Sequence, residues 1–199
     1  MSSARDAVLG RVREALRDAP PPPAVERRYD RTREVADVVA LFAERVSEYR
    51  ANVRRTTDPA AAIERALAEH GARRVVVAPG LPWRPGGVEL IEDDGLGAHE
   101  LDALDGVVTG CEVAIAETGT IALTAAQGRR AITLVPDLHV CVVEAERIVA
   151  TVPEAIERLG PPSGPVTLVS GPSATSDIEL SRVEGVHGPR RLEVIVSER

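Results

Sequence analysis

Residues 58–80, Asp-Pro-Ala-Ala-Ala-Ile-Glu-Arg-Ala-Leu-Ala-Glu-His-Gly-Ala-Arg-Arg-Val-Val-Val-Ala-Pro-Gly, decide the fold class. Asp58 followed by Pro59 is an N-cap with proline at the first helical position, where the missing N–H has no partner to lose and φ is already set. Ile63 and Leu67 share one helical face, and His70-Gly71 closes the helix. The chain then enters Arg74-Val75-Val76-Val77-Ala78, a continuous apolar run suited to a strand buried on both faces. A helix that hands over to such a strand is an αβ unit, and it predicts a sheet with helices packed on it.

Working outward, further apolar runs at 113–116, 121–123, 132–135, 140–143, 166–169 and 192–196 read as strands. A short strand is expected at 88–91 and a helix near 99–104, after a loop holding Pro82, Trp83, Pro85, Gly86 and Gly87. The expectation is a three-layer α/β/α sandwich with a mixed, mostly parallel sheet, the closely spaced middle runs being antiparallel hairpins inserted into it. Toward the N-terminus, Val8, Leu9, Val12, Ala15 and Leu16 fall at helical spacing after Ser3, with Asp6 placed for a capping box, until the prolines at 20–23 stop the helix. Val35, Val38, Val39, Phe42, Val46 and Tyr49 form one stripe of a second helix. The predicted division is an N-terminal helical arm and helix over 1–50 and an α/β domain over 51–199.

Composition narrows the function classes. A chain of 199 residues at 44% hydrophobic can bury one sizeable core. Its net charge of -7 opposes a nucleic-acid role, and Tyr29, Phe42, Tyr49 and Trp83, its only aromatic residues, leave little surface on which to stack bases. Every basic residue is arginine, which removes Schiff-base chemistry and a P-loop lysine. Cys111 and Cys141 are too few to hold an iron–sulfur cluster or a structural zinc alone, and they read as small buried hydrophobes of a reduced interior. Four dispersed histidines without His-x-x-x-His spacing support no metal site, and no Gly-x-Gly-x-x-Gly follows a strand, so no dinucleotide cofactor is expected. The Met1-Ser2-Ser3-Ala4-Arg5-Asp6 start has no apolar signal core, and no apolar run approaches the roughly 20 residues that span a bilayer, so a cytoplasmic location is expected.

In an open α/β sheet, ligands bind beyond the carboxyl ends of strands, which singles out the loops that follow apolar runs. These are Pro79-Gly80, Glu117 to Thr120, Gly171 to Asp177 and the His187 to Arg190 turn. Glu117 ends an apolar run and is expensive to desolvate, so it either has a structural partner or serves as general base or nucleophile. Thr118, Gly119 and Thr120 could present hydroxyls and amides to an anion. Gly171, Ser173, Thr175, Ser176 and Asp177 open a helix and could form an anion cradle, or simply cap it. His187 and Arg190 could orient an anionic substrate or hold a tight turn. His139 reads as a satisfied core or edge histidine, and His70 as a helix C-cap.

Three segments carry a family resemblance: Ala114-Ile-Ala-Glu-Thr-Gly-Thr-Ile-Ala-Leu-Thr124, Gly171-Pro-Ser-Ala-Thr-Ser-Asp-Ile-Glu179 and Gly185-Val-His-Gly-Pro-Arg-Arg-Leu192. In order and over roughly residues 50 to 197, the chain resembles the LUD domain of the lactate utilization protein C (LutC) family. The resemblance implies a fold similar to sugar-phosphate isomerases and CoA transferases, and by analogy with the glutamate acyl acceptor of the latter it makes Glu117 a candidate. It further implies a non-redox component that works beside iron–sulfur partner proteins in oxidising L-lactate to pyruvate and binds a small anionic ligand near Glu117. Two alternatives stand beside it: a stand-alone acyl-transfer or isomerase-type enzyme using Glu117, and a non-catalytic small-anion sensor. A homo-oligomer is possible on any of the three readings.

Overall fold

The computed structural model describes residues 4–20, 25–26, 29–161, 164–172 and 188–198. It divides into two units, Met1–Asp30 and Arg31–Arg199. The first contains helix α1 (Ala4–Ala15), which buries none of its residues and exposes Val8 and Val12, with Leu16 exposed just beyond its end. Ser3 and residues 21–24, on which the expected capping box and most of the proline spacer fall, lie outside the described residues.

In the second unit, α2 (Val38–Glu48) begins at Asp37, whose carboxylate accepts the Ala40 N–H at 2.8 Å. Phe42 and Val46 on its inner face are fully buried, so this helix, grouped by the sequence with the N-terminal arm, supplies core to the unit that begins at Arg31. Strand β1 (Asn52–Thr56) follows, then α3 (Pro59–Glu69) and β2 (Arg74–Val77). The αβ unit forms as its residues dictate: Asp58 accepts from Ala61 N at 3.1 Å, Pro59 opens the helix, and Gly71 leaves it at φ +67°.

The chain continues through β3 (Glu89–Glu92), α4 (Ala98–Asp102), β4 (Gly106–Thr109), β5 (Val113–Ile115), β6 (Thr120–Leu123), β7 (Leu138–Glu144), β8 (Ile148–Val149), α5 (Val152–Leu159), β9 (Thr167–Val169) and β10 (Arg191–Ser197). Six strands form one sheet in the order β1-β10-β7-β4-β2-β3, every neighbouring pair parallel. Helix α3 covers one face, packing Ala62, Ile63, Ala66 and Leu67 on Val75, Val77, Val140, Val142 and Ile195. Over β7 and β10 the other face carries α2 and a second sheet, and over β2 and β4 it carries Leu101 of α4. Strand alternation thus sends successive side chains of β7 and β10 into two different cores.

The antiparallel hairpins expected inside the parallel sheet form that second sheet, in the order β8-β5-β6-β9, with β5-β6 and β6-β9 antiparallel. Its central strands are buried on both faces. Ala114 and Ile121 pack toward the main sheet, whereas Val113, Ile115 and Ala122 pack against Ala155 of α5. The run Ile132–Val135, expected to be a strand, is instead the end of a 3-10 turn over Arg130–Thr133. The turn drives Ile132 into the core beside Leu101 and leaves Leu134 41% exposed. A four-residue run bounded by Pro136 cannot bury alternate faces unless two neighbouring strands flank it, and a 3-10 turn places residues three apart on one side.

Candidate functional site

The Glu117 to Thr120 segment is the turn of the β5-β6 hairpin, and packing accounts for its composition. Gly119 adopts φ +59°, and a Cβ there would lie 2.7 Å from the Arg45 carbonyl carbon and 2.8 Å from Val46 N. Gly171 adopts φ +80°, and a Cβ there would collide with the Cβ of Tyr49 and approach its carbonyl oxygen at 2.7 Å. Two glycines fifty-two residues apart in sequence therefore admit the last turn of α2. Hydroxyls join the same two segments: Thr118 Oγ1 lies 2.8 Å from Thr120 Oγ1, which lies 2.7 Å from Ser170 Oγ.

Glu117 points elsewhere, to the start of α5. Its Oε1 accepts the Val152 N–H at 2.8 Å, while Glu154 Oε2 accepts from Ala150 N at 2.8 Å and Thr151 N at 3.0 Å. Two carboxylates thus satisfy three N–H groups at one positive helix end, where negative charge is favourable. Arg190, just before β10, donates through Nη1 to Asp137 Oδ2 at 2.7 Å at the amino ends of β7 and β10. The structure brings Thr118, Gly119, Thr120 and Gly171 together, directs Glu117 to a helix cap, and sets Arg190 at the amino edge of the main sheet. Ser173, Thr175, Ser176, Asp177 and His187 lie outside the described residues.

The central histidine is structural. His139 is buried on β7, its Nε2 is 2.8 Å from Thr109 Oγ1, and burial, reinforced by the charge of Arg130, pushes its pKa down to about 4. It is neutral near pH 7. Burial also pushes the Cys141 thiol up to about 12 and Cys111 well above its ordinary value, so both are held as unreactive thiols. His70 contacts Glu193 Oε1 at 2.8 Å, and this buried carboxylate also accepts from Asn52 Nδ2 at 2.6 Å and Arg54 Nε at 3.3 Å. Among the described residues, no three His, Cys, Asp or Glu side chains are grouped to hold a metal ion.

A cavity of about 300 Å3 lies at the carboxyl edge of the main sheet. It is walled by Pro79, Leu81 and Trp83 beyond β2, Gly110 and Cys111 beyond β4, and Glu144 and Arg147 at the end of β7. From β2 the chain moves outward to β3, whereas from β4 it moves the opposite way to β7 and β10. The loops after β2 and β4 therefore part, and such a reversal of strand order is where open parallel sheets form their ligand crevice. Of these loops only Pro79-Gly80 stands out in the sequence. Gln127 and Ala126 close one side from the loop after β6. Gly128, at φ +96°, allows this closure, since a Cβ there would stand 3.2 Å from Pro79 Cδ and 2.7 Å from Ile132 Cδ1. Arg147 Nε donates to Glu144 Oε2 at 2.6 Å and Nη1 to the Glu112 carbonyl at 3.2 Å.

A parallel sheet flanked by helices, with a crevice at its reversal point and a small second sheet beside it, defines an α/β protein of the open-sheet class. Comparison with known proteins is more specific. The LUD domain family model matches residues 97–197. Lactate utilization protein C of Deinococcus radiodurans is 46% identical over 200 aligned residues, covering 96% of this chain and 90% of that protein. A Lactate utilization protein C from Shouchella clausii is 30% identical over 49% of the chain and 46% of its own length. The crystal structure of a DUF162 family protein from Deinococcus radiodurans superposes with a TM-score of 0.71 at 40% identity, covering 85% of this chain and 99% of that one. The chain belongs to the LUD domain family.

Proposed function

We propose that this protein is a non-redox component of an L-lactate utilization system, acting in the cytoplasm beside iron–sulfur partner proteins and binding a small anionic ligand. The observation that carries the reading is the 46% identity, over nearly the whole of both chains, to a protein named Lactate utilization protein C. Chemistry supports the division of labour: Cys111 and Cys141, the only cysteines of the chain, are both buried and are too few to ligate an iron–sulfur cluster by themselves. For the ligand, the Glu117 turn offers the Thr118 and Thr120 hydroxyls, but these already bond one another, and the carboxylate serves α5. The crevice between β2, β4 and β7 is the better supported location.

Deleting the gene should abolish growth on L-lactate, and affinity capture of the full chain from lactate-grown cells should recover iron–sulfur proteins. The purified chain alone should be colourless and reduce no dye with lactate. Normal growth of the deletion strain, or lactate-dependent dye reduction by the single chain, would overturn the reading.

A further inference from the structure

The crevice carries more chemical detail than its position in the fold. Its lining combines the apolar side chains of Leu81, Pro82 and Trp83 with the Glu144–Arg147 ion pair. Both side chains of that pair are partly exposed, and among the described residues the two hydrogen bonds of Arg147 run through Nε and Nη1, not Nη2. An arginine anchored through Nε and Nη1 holds its plane in place and can offer Nη2 to a carboxylate without giving up its existing partners. A bare carboxylate entering there would also meet the negative charge of Glu144. A hydroxyl on the adjacent carbon removes that penalty, because it donates to Glu144 while the carboxylate accepts from Arg147. A 2-oxo acid cannot do this, since it would turn a carbonyl oxygen toward Glu144.

We infer that this crevice binds small 2-hydroxycarboxylates, the carboxylate held by Arg147, the hydroxyl donating to Glu144 and the carbon chain lying against Leu81 and Trp83. The volume, about 300 Å3, is at the lower end for ligand pockets and exceeds what a three-carbon acid fills. Homologues with a larger apolar group therefore bind more tightly than lactate, through contact with Trp83. The inference deepens the lactate-utilization reading by placing the ligand and naming its class. It is tested separately, because it concerns binding by the isolated chain whereas that reading stands or falls on growth and partners.

Trp83 is the only tryptophan and lines the crevice, so its emission reports occupancy directly. Titrating the purified full-length chain with L-lactate and 3-phenyllactate should give a saturable change in Trp83 fluorescence, tighter for phenyllactate. Pyruvate and propionate should bind at least tenfold more weakly than L-lactate. Arg147→Gln should weaken L-lactate at least tenfold. Since that change also removes the bond to the Glu112 carbonyl, Ala126→Phe, at an exposed position on the rim, provides a second block by filling the crevice. No saturable change with either hydroxy acid, pyruvate or propionate equal to lactate, tighter binding of alanine than of lactate, or unaltered binding in a folded Ala126→Phe variant would each overturn the assignment.

Discussion

The hairpin turn at Glu117 to Thr120 and the crevice at the carboxyl edge of the main sheet are opposites in how they display chemistry. The turn gathers a carboxylate, two hydroxyls and a glycine within four consecutive residues, yet each serves packing or capping, since Gly119 admits α2, Thr118 and Thr120 bond one another, and Glu117 caps α5. The crevice draws Trp83, Cys111, Gln127, Glu144 and Arg147 from four separate segments, none of which forms a local motif. Dense polar signatures in a sequence mark places where the backbone is hard to satisfy. Such a place can be a joint as readily as an active site.

The largest expected effect tests whether the turn is a joint. Gly119→Val forces a β-branched residue to φ +59° and into the α2 backbone, and the combined strain and overpacking should cost about 4 kcal/mol. Thermal melting should show a collapse in stability, whereas a variant that melts like the parent would show that α2 does not depend on the close approach.

The main sheet should respond to pH through its buried histidine. His139 has a folded pKa of about 4 against an ordinary 6.5, so the unfolded chain takes up this proton before the folded one does. The stability it contributes is complete above pH 6.5 and is lost as pH falls toward 4, by on the order of 3 kcal/mol. Denaturant midpoints measured across that window should fall for the parent and fall less for His139→Gln.

A smaller effect separates the two roles considered for Glu117. Glu117→Ala removes one acceptor at the α5 N-terminus and should cost about 1 kcal/mol, and Glu117→Gln less, with growth on lactate retained in both. Loss of growth with a stable Glu117→Gln protein would return the carboxylate to the site and reverse the comparison. The smallest effect belongs to residues 1–30, whose helix α1 buries no residue. A chain starting at Arg31 should melt within a few degrees of the parent, and calorimetry on both would expose any hidden contribution to stability.

Legibility followed the range of the forces involved. The α3–β2 unit was readable because its cap, proline, apolar face and strand lie within 23 residues, and each acts on its near neighbours. Strand β1, Asn-Val-Arg-Arg-Thr, was not readable, since only pairing with β10 and the buried Glu193 make a place for Asn52 and Arg54. Helix α5 was overlooked although its start is local and legible, since Thr151-Val-Pro-Glu154 is a capping box with proline in the first turn, to which Glu117 adds one distant acceptor. Ile132–Val135 has a strand's composition but no neighbouring strand beside it.

The sequence by itself determined an acidic, lysine-free α/β chain with buried Val-rich strands, two cysteines too few for a cluster, and a family signature from Glu117 to Thr120, because composition and short-range pattern need no partner to act. Only the tertiary structure decided that the hairpins form a second sheet, that Gly119 and Gly171 meet one helix, and that Trp83, Glu144 and Arg147 face a common cavity. Those outcomes depend on strand order. The order is set by which apolar faces can be covered together, a global packing condition that no local stretch of residues contains.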